Sequence, residues 1–438
     1  MPKNVKIVTL GCPKNEVDSE VMGNGIQQAG FNMVDNEKDA DIIIINTCGF
    51  IESARTESID TILNAADLKS EGRATELLVA GCLSQRYEAE LRRELPEVDA
   101  FFGVEDFRSI LTYLGGTEAA HYARPGRRLL ESRNYYSYLK IAEGCDNECS
   151  FCAIPNMRGL QKSRSIESLL EETRGMVANG IKEVILISQD LTMYGWDLKL
   201  NGDKGPRIHN LINELAEIEG IEWIRIMYAH PAHVTKDLST MISEQSKVCN
   251  YLDMPVQHIN DRILKSMKRS STGSKIRRII SDLRKHIPDI ALRTSIIVGY
   301  PEETEEEFQE LYDFVEETKF DRLGVFTYSH EESTSAGYME DSVSKELKIQ
   351  RMDEIMLLQQ EISEQKNKEM INEIFTVLID EYKEVDDVSI GRTYKDAPEV
   401  DNIVVVNDKV EAGTLVDVKI TSSAIYEVTG ELSNTRKS

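Results

Sequence analysis

The sequence predicts an α/β chain of three parts. These are an amino-terminal parallel α/β sheet domain over residues 1–116, a central partial (β/α)6 barrel over 134–369, and a small carboxy-terminal β-barrel over 370–438. Three observations carry this. Short runs rich in β-branched residues, each followed by a small or polar turn and a helical pattern, recur through the first two parts, as in βαβ units. The second series contains six such repeats, too few for a closed eight-stranded barrel. After Ile374, five short strands crowd into fewer than 70 residues with no helix between them.

In the first part the strands are Val5–Leu10, Ile42–Asn46 and Leu77–Ala80, and Gly115-Gly116 closes the region. Residues 117–133 hold Pro125, Gly126 and the basic cluster Arg124, Arg127 and Arg128, and read as a linker. The central strands are expected at Tyr138–Ala142, Val184–Ser188, Trp223–Tyr228, Tyr251–Met254, Arg293–Val298 and Gly324–Tyr328. Helices between them include Ile166–Asn179, Ile208–Ile218, Lys236–Glu244, Ser274–His286 and Glu303–Thr318. Ser344–Asn372, charged and without Gly or Pro, reads as one long helix leading to the last part. The terminal strands are expected at Thr376–Ile379, Ser389–Arg392, Asn402–Val406, Leu415–Ile420 and Ala424–Glu427.

Composition narrows the function. Hydrophobic residues make up 41% and charged residues 29%, which describes a globular chain and excludes a disordered one. Lys and Arg number 51 against 76 Asp and Glu, a net charge of −25. That balance argues against a broad phosphate-gripping surface. No apolar run is long enough to span a bilayer, and Val5–Leu10 is too short and broken for a signal peptide. Seven cysteines, an odd number in a long chain, do not form a secreted disulfide framework. A cytoplasmic protein with free thiols and no membrane partner is expected.

The sharpest motif is C-x3-C-x2-C at Cys145, Cys149 and Cys152, directly after the first central strand. Three thiolates in one loop can ligate three irons of a 4Fe-4S cluster and leave the fourth iron open. Such loops lie where barrel chemistry sits, at strand carboxyl ends. A zinc knuckle is the competing reading, but it lacks a nearby fourth ligand. Three more cysteines, Cys12, Cys48 and Cys82, are 36 and 34 residues apart, and each follows one of the first three strands, in TLGC, INTC and VAGC. Neighbouring parallel strands end on one sheet edge, so the three converge if the strands are adjacent. Gly11 and Gly81 leave room for a bulky inorganic group. The alternative is three separate buried thiols. Cys249 stands in no such pattern and reads as a core thiol.

Arg158, Ser163 and Arg164, just beyond the cysteine loop, could hold a carboxylate or form a solvated basic loop. Gln189, Asp190 and Tyr194 follow the second central strand, and Gln257 and His258 follow the fourth, at the rim where barrel enzymes bind ligands.

EGCDNECSFCAIPNMRG, with Phe151 before the last Cys, resembles the signature of radical S-adenosylmethionine (SAM) enzymes. TSIIVGYPEE resembles that superfamily's G-x-I-x-G-x-x-E strand, with Ser295 in place of the first Gly and with Ile297, Gly299 and Glu302 in position. The two cysteine sets, followed by a small terminal β-domain, resemble the radical SAM methylthiotransferases over nearly the whole chain. The resemblance implies a methylthiotransferase domain over 1–116, a radical SAM domain over 134–369 and a TRAM domain over 370–438. It implies two 4Fe-4S clusters, one on Cys145, Cys149 and Cys152 and a second on Cys12, Cys48 and Cys82. It further implies SAM as methyl donor and radical source, with Phe151, Gln189, Ser295, Ile297, Gly299 and Glu302 around it, and an external one-electron reductant.

Within that family, GCPKNEVDSE, LISQDLTMYGWDL, YLDMPVQHINDRILKSMKR and GRTYKDAPEVDN resemble the branch acting on the β-carbon of an aspartate in small-subunit ribosomal protein S-twelve. The other branch modifies adenosine in tRNA. The terminal part carries 14 acidic and 7 basic residues from Ile371 to Ser438, which suits a basic protein partner better than tRNA. Asp396, Glu399 and Asp401 are the expected docking residues. A non-catalytic iron–sulfur carrier is the reading from another class.

Overall fold

A computed structural model describes residues 2–116, 126–130, 135–198 and 205–433. Most of the expected linker, 117–133, lies outside the described residues. Two compact units emerge. One comprises Met1–Glu131, Tyr138–Asn147 and Cys152–Glu172; the other comprises Ser132–Ser137, Glu148–Phe151 and Thr173–Ser438.

The first unit is built on a five-stranded sheet. Its strands are β1 (Asn4–Thr9), β2 (Asn32–Met33), β3 (Ile42–Thr47), β4 (Glu76–Gly81) and β5 (Ala100–Phe101). Their order is β2-β1-β3-β4-β5, with every pair parallel. The three strands expected from the sequence are the central three. The two-residue edge strands were too short to show as a pattern. β3 is buried along its whole length because both sheet faces are covered. Ile42 and Ile44 join Val5, Ile26 and Phe107 in one core, and Ile43 and Ile45 join Ile62, Leu77 and Val79 in another. This is the two-residue period of a strand dividing one isoleucine run between two faces. The unit also holds a short antiparallel pair of β7 (Ala142–Glu143) and β8 (Lys162–Ser163), after β6 (Tyr136–Lys140).

The second unit carries β9 (Glu183–Ile187), β10 (Trp223–Ile226), β11 (Val248–Asp253), β12 (Ala291–Val298) and β13 (Arg322–Thr327). They form an open six-stranded sheet in the order β13-β12-β11-β10-β9-β6. The pairs from β9 to β13 are all parallel. The expected long helix runs Lys345–Glu369, started by Ser344, whose Oγ accepts from Leu347 N. It ends short of Asn372, which takes a left-handed φ of 74°.

β14 (Ile374–Lys383), β15 (Val388–Arg392), β16 (Ile403–Val406), β17 (Leu415–Ser423) and β18 (Glu427–Leu432) close into a barrel around Val377, Ile379, Val404, Val406, Val418, Ile420 and Val428. One expectation shifts. Ala424–Glu427 is a turn in which Ala424 N donates to Glu427 O, and the last strand begins only at Glu427. None of the described helices is long and apolar enough to cross a membrane.

The structure corrects the expected docking residues. Asp396 is buried and accepts from Arg322 Nε at 3.0 Å and from Thr393 Oγ1 at 2.8 Å. The Asp401 side chain is 1% exposed and pairs with Arg293 and the Tyr251 hydroxyl. Only Glu399 is exposed, accepting from the Tyr136 hydroxyl at 2.9 Å. The buried pair of aspartates therefore ties the GRTYKDAPEVDN segment to arginines of the β12 and β13 strands. Their charges are neutralised inside the unit, so neither faces a partner.

Candidate functional site

In the first unit, register brings the strand-end cysteines together. Thr9 pairs with Asn46 and Thr47 with Gly81, so β1, β3 and β4 end almost level. Cys12, Cys48 and Cys82 follow those ends as free thiols. The glycines between them make the approach possible. A Cβ on Gly11 would stand 2.6 Å from Cys48 Cβ and 2.9 Å from its Sγ. A Cβ on Gly49 would stand 2.9 Å from the Leu83 backbone, next to Cys82. Gly11 and Gly81 also hold φ of 96° and 95°, which a side chain would strain.

Among the described residues, the three sulfurs do not all lie within 4.8 Å of one another. A single zinc with Zn–S bonds of about 2.3 Å would draw them to roughly 3.8 Å. The three thiols are therefore not gathered as a single zinc would gather them. Burial pushes the Cys82 thiol up to about 11, with Arg158 pulling against it, and burial raises Cys48 as well. Such thiols shed their proton when a metal takes its place.

Asn15 fastens this corner. Its Nδ2 donates to Leu10 O at 2.7 Å and to Thr47 O at 3.0 Å, just before Cys12 and Cys48. Asn46 Nδ2 donates back to Asn15 O at 2.9 Å. Arg158 Nη2 donates to Asn15 Oδ1 at 2.7 Å, and its Nη1 donates to Glu143 at 2.9 Å and Asp18 at 3.3 Å. Lys140 joins the same two carboxylates and Glu105. Burial works against these charges, but Lys140 and Arg158 outweigh it and hold Glu143 below the usual carboxylate range. The sequence left Arg158 either to hold a carboxylate or to lie in a solvated basic loop. It holds carboxylates of its own chain. Arg164 likewise pairs with Glu172.

The second cysteine set lies on the irregular loop between β7 and a short helix, Ile154–Arg158. Cys145 is buried, while Cys149 and Cys152 are half-buried. Asn147 Nδ2 lies 3.4 Å from the Cys145 sulfur. In the second unit, Arg269 Nη1 lies 3.6 Å from the Cys149 sulfur. Both are donors poised on prospective ligand sulfurs. Phe151 packs against the cluster of Ile263, Met267, Tyr300, Tyr328 and Ala336, together with Ile297.

The remaining expected cofactor residues separate. Gln189 stands half-buried after β9. Ser295 and Ile297 lie on β12, and Gln257 bridges them: its N–H donates to Ser295 O at 2.9 Å and its carbonyl accepts from Ile297 N at 2.8 Å. Gly299 has φ 68° and is pressed by Lys348, whose Cγ lies 2.2 Å from where a Cβ would be.

Glu302 is exposed, takes a left-handed φ of 63°, and its carboxylate lies 3.7 Å from Arg262. The inward carboxylate is its neighbour Glu303, which accepts from Gly299 N at 3.0 Å and Arg351 Nη1 at 2.8 Å and faces His258 at 3.5 Å. Glu303→Ala is expected to cost about 3 kcal/mol in urea unfolding, since it leaves the buried Arg351 with only the exposed Glu305 as counter-charge. Glu302→Ala is expected to stay within about 0.5 kcal/mol. Equal effects would refute the assignment.

At the rim after β9, Asp190 caps its own turn through Thr192 N and faces His233 Nδ1 at 3.0 Å. Burial drops the neighbouring His230 to about 3, so its ring is neutral near pH 7.

Residues 4–103 match the uncharacterized protein family UPF0004, 139–315 the radical SAM superfamily, and 371–432 the TRAM domain. The ribosomal protein uS12 methylthiotransferase RimO of Geobacter sulfurreducens is 46% identical over 445 residues, covering 98% of each chain. Its counterpart in Clostridioides difficile is 43% identical over 441 residues, again covering 98% of each. Among solved structures, the radical SAM methyltransferase TsrM from Kitasatospora setae overlays with a TM-score of 0.55 at 13% identity, covering 77% of each chain. The cobalamin-dependent radical enzyme OxsB overlays at 0.52 and 13% identity, covering 82% of this chain and 56% of its own. These two are likenesses of fold.

Proposed function

The chain belongs to the radical SAM methylthiotransferase family, and on that premise we propose that it replaces a C–H bond by C–SCH3 at the β-carbon of an aspartate in ribosomal protein uS12. The observation that carries the reading is near-complete coverage of the RimO relatives, together with the two sets of three cysteines. The domain limits set out from the sequence, 1–116, 134–369 and 370–438, are part of this proposal.

Cys145, Cys149 and Cys152 would hold one 4Fe-4S cluster, and Cys12, Cys48 and Cys82 a second. Both donor sets suit the group: three thiols each, the strand-end set in a glycine-lined corner. When bound, these clusters and SAM supply the electron, the radical and the methylated sulfur that the reaction consumes. The chain's own part is positional. Three ligands per cluster leave one iron open in each. Phe151, Gln189, Ser295, Ile297 and Gly299 would line the SAM side, and Glu303 would brace the Gly299 turn from behind. The buried Lys140–Arg158 network would keep the strand-end thiols fixed. An external one-electron reductant supplies the electron.

The substrate preference rests on charge. Exposed acids of the small barrel include Glu381, Glu384, Asp386 and Asp387 on the β14–β15 hairpin, with Glu411, Glu427 and Glu431 elsewhere on it. These acids favour a basic protein over tRNA phosphates. Ribosomal uS12 from cells lacking this protein should lose the mass of one methylthio group, and tRNA nucleosides should be unchanged. Loss of a methylthioadenosine with uS12 intact would move the assignment to the tRNA branch.

A further inference from the structure

The short helix Ile154–Arg158 begins two residues after Cys152, yet it packs on a cysteine of the other set. Ala153, Ile154 and Met157 join Cys82 and Val104 in one small apolar cluster. At the end of that helix Arg158 is 8% exposed, and its fork spans two directions, Asn15 and the Asp18–Glu143 pair; its charge pulls against the burial that raises the Cys82 thiol. Asn15 in turn holds the backbone just before Cys12 and Cys48. A helix that begins two residues after Cys152 therefore packs on Cys82, and its last residue, Arg158, braces through Asn15 the strand ends that carry Cys12 and Cys48.

Charge counting gives that contact a consequence. Asp18 and Glu143 share Lys140 and Arg158, with Glu105 at the edge. The Lys140 ammonium sits among the three carboxylates, so the group is closed to a metal cation. Arg158 is thus held charged: burial opposes it, but Glu143 and Asp18 outweigh burial. A cationic donor beside a ligand sulfur favours the more reduced, more negative cluster and raises its potential.

The geometry points to Arg158 as a positioning residue that sets the reduction potential of the cluster on Cys12, Cys48 and Cys82. The inference rests on the two-cluster reading above. It ties the potential of the sulfur-bearing site to the helix that follows the SAM-side loop.

The test is an anaerobic, EPR-monitored redox titration of the reconstituted full chain, with iron counted on the same samples. A parallel chain carrying Cys145→Ala, Cys149→Ala and Cys152→Ala assigns which potential belongs to the strand-end cluster. Arg158→Gln is expected to retain iron at both clusters and to lower that potential by about 59 mV, a tenfold change in a one-electron equilibrium. Arg158→Lys keeps the charge among Asp18 and Glu143 but loses the fork, and should shift the potential part of the way. It also serves as the reporting variant if Arg158→Gln does not fold. Arg128→Gln is the structural control, because Arg128 is an equally buried guanidinium that pairs with Glu20 and Glu172. It should leave both potentials in place. Full iron loading with an unmoved potential in the Arg158 variants would overturn the inference alone. A wild-type chain that binds only one cluster would overturn the two-cluster reading beneath it.

Discussion

Alanine at Cys145, Cys149 or Cys152 abolishes formation of 5′-deoxyadenosine, whereas alanine at Cys12, Cys48 or Cys82 leaves SAM cleavage running and stops methylthiolation: this is the expected split between the two cysteine sets. With two thiolates a cluster is not retained, and without it no electron reaches SAM. The loss is therefore complete. Cys48 follows the end of β3 and Cys82 opens the helix after β4, outside the C-x3-C-x2-C loop. Their removal takes away the second cluster only. The measurement is anaerobic incubation with SAM and dithionite, chromatography of 5′-deoxyadenosine, and iron counts. Cys249 is the control. It is buried, burial pushes its thiol up to about 12, and it lies on β11 away from either motif. Cys249→Ala should keep both activities. Loss of cleavage on replacing Cys12, Cys48 or Cys82 would break the division of labour, and a wild-type chain that makes no 5′-deoxyadenosine would favour the carrier reading.

The second large effect is on stability. Glu183, the first residue of β9, is fully buried and receives Arg225 Nε at 2.6 Å and Arg392 Nη1 at 2.7 Å. Arg392 belongs to β15 and also grips Asp380, so Glu183 is the carboxylate that joins the open sheet to the small barrel. Glu183→Ala leaves Arg225 buried with no carboxylate and Arg392 with only Asp380. Removing one member of such a group costs about 3–5 kcal/mol. Urea unfolding at neutral pH should show it as a lower midpoint. A loss below about 1 kcal/mol would mean the arginines find water or other acceptors.

The pH dependence follows the sign of the shift. Burial alone would raise the Glu183 carboxyl, but Arg225 and Arg392 outweigh it and hold it low. Its contribution is therefore present above the ordinary glutamate value of about 4.3 and disappears as pH falls through the lower folded value. The gap between wild type and Glu183→Ala should narrow on acidification.

Periodicity was enough for the sheets, because each buried parallel strand is a short β-branched run. It could not show the edge strands Asn32–Met33 and Ala100–Phe101, where neighbours supply the order that two residues cannot. The cysteines were legible for a related reason: a motif within one loop, or a cysteine after each strand, is a pattern along the chain. The motif spacing named Glu302 alone, and the inward role of Glu303 was not legible because the left-handed turn at Glu302 decides which glutamate is buried. Asp396 and Asp401 look like surface charge in sequence, and Arg158 like a free cation. Whether a charge faces water or a buried counter-charge depends on residues up to 209 positions away, as for Arg392 and Glu183.

By itself the sequence determined the order of domains, the two sets of thiols and hence the class of chemistry, since those rest on local composition and spacing. Only the tertiary structure decided which charges are used up inside. A buried ion survives only with its partner beside it, and that partner is chosen by folding, not by distance along the chain.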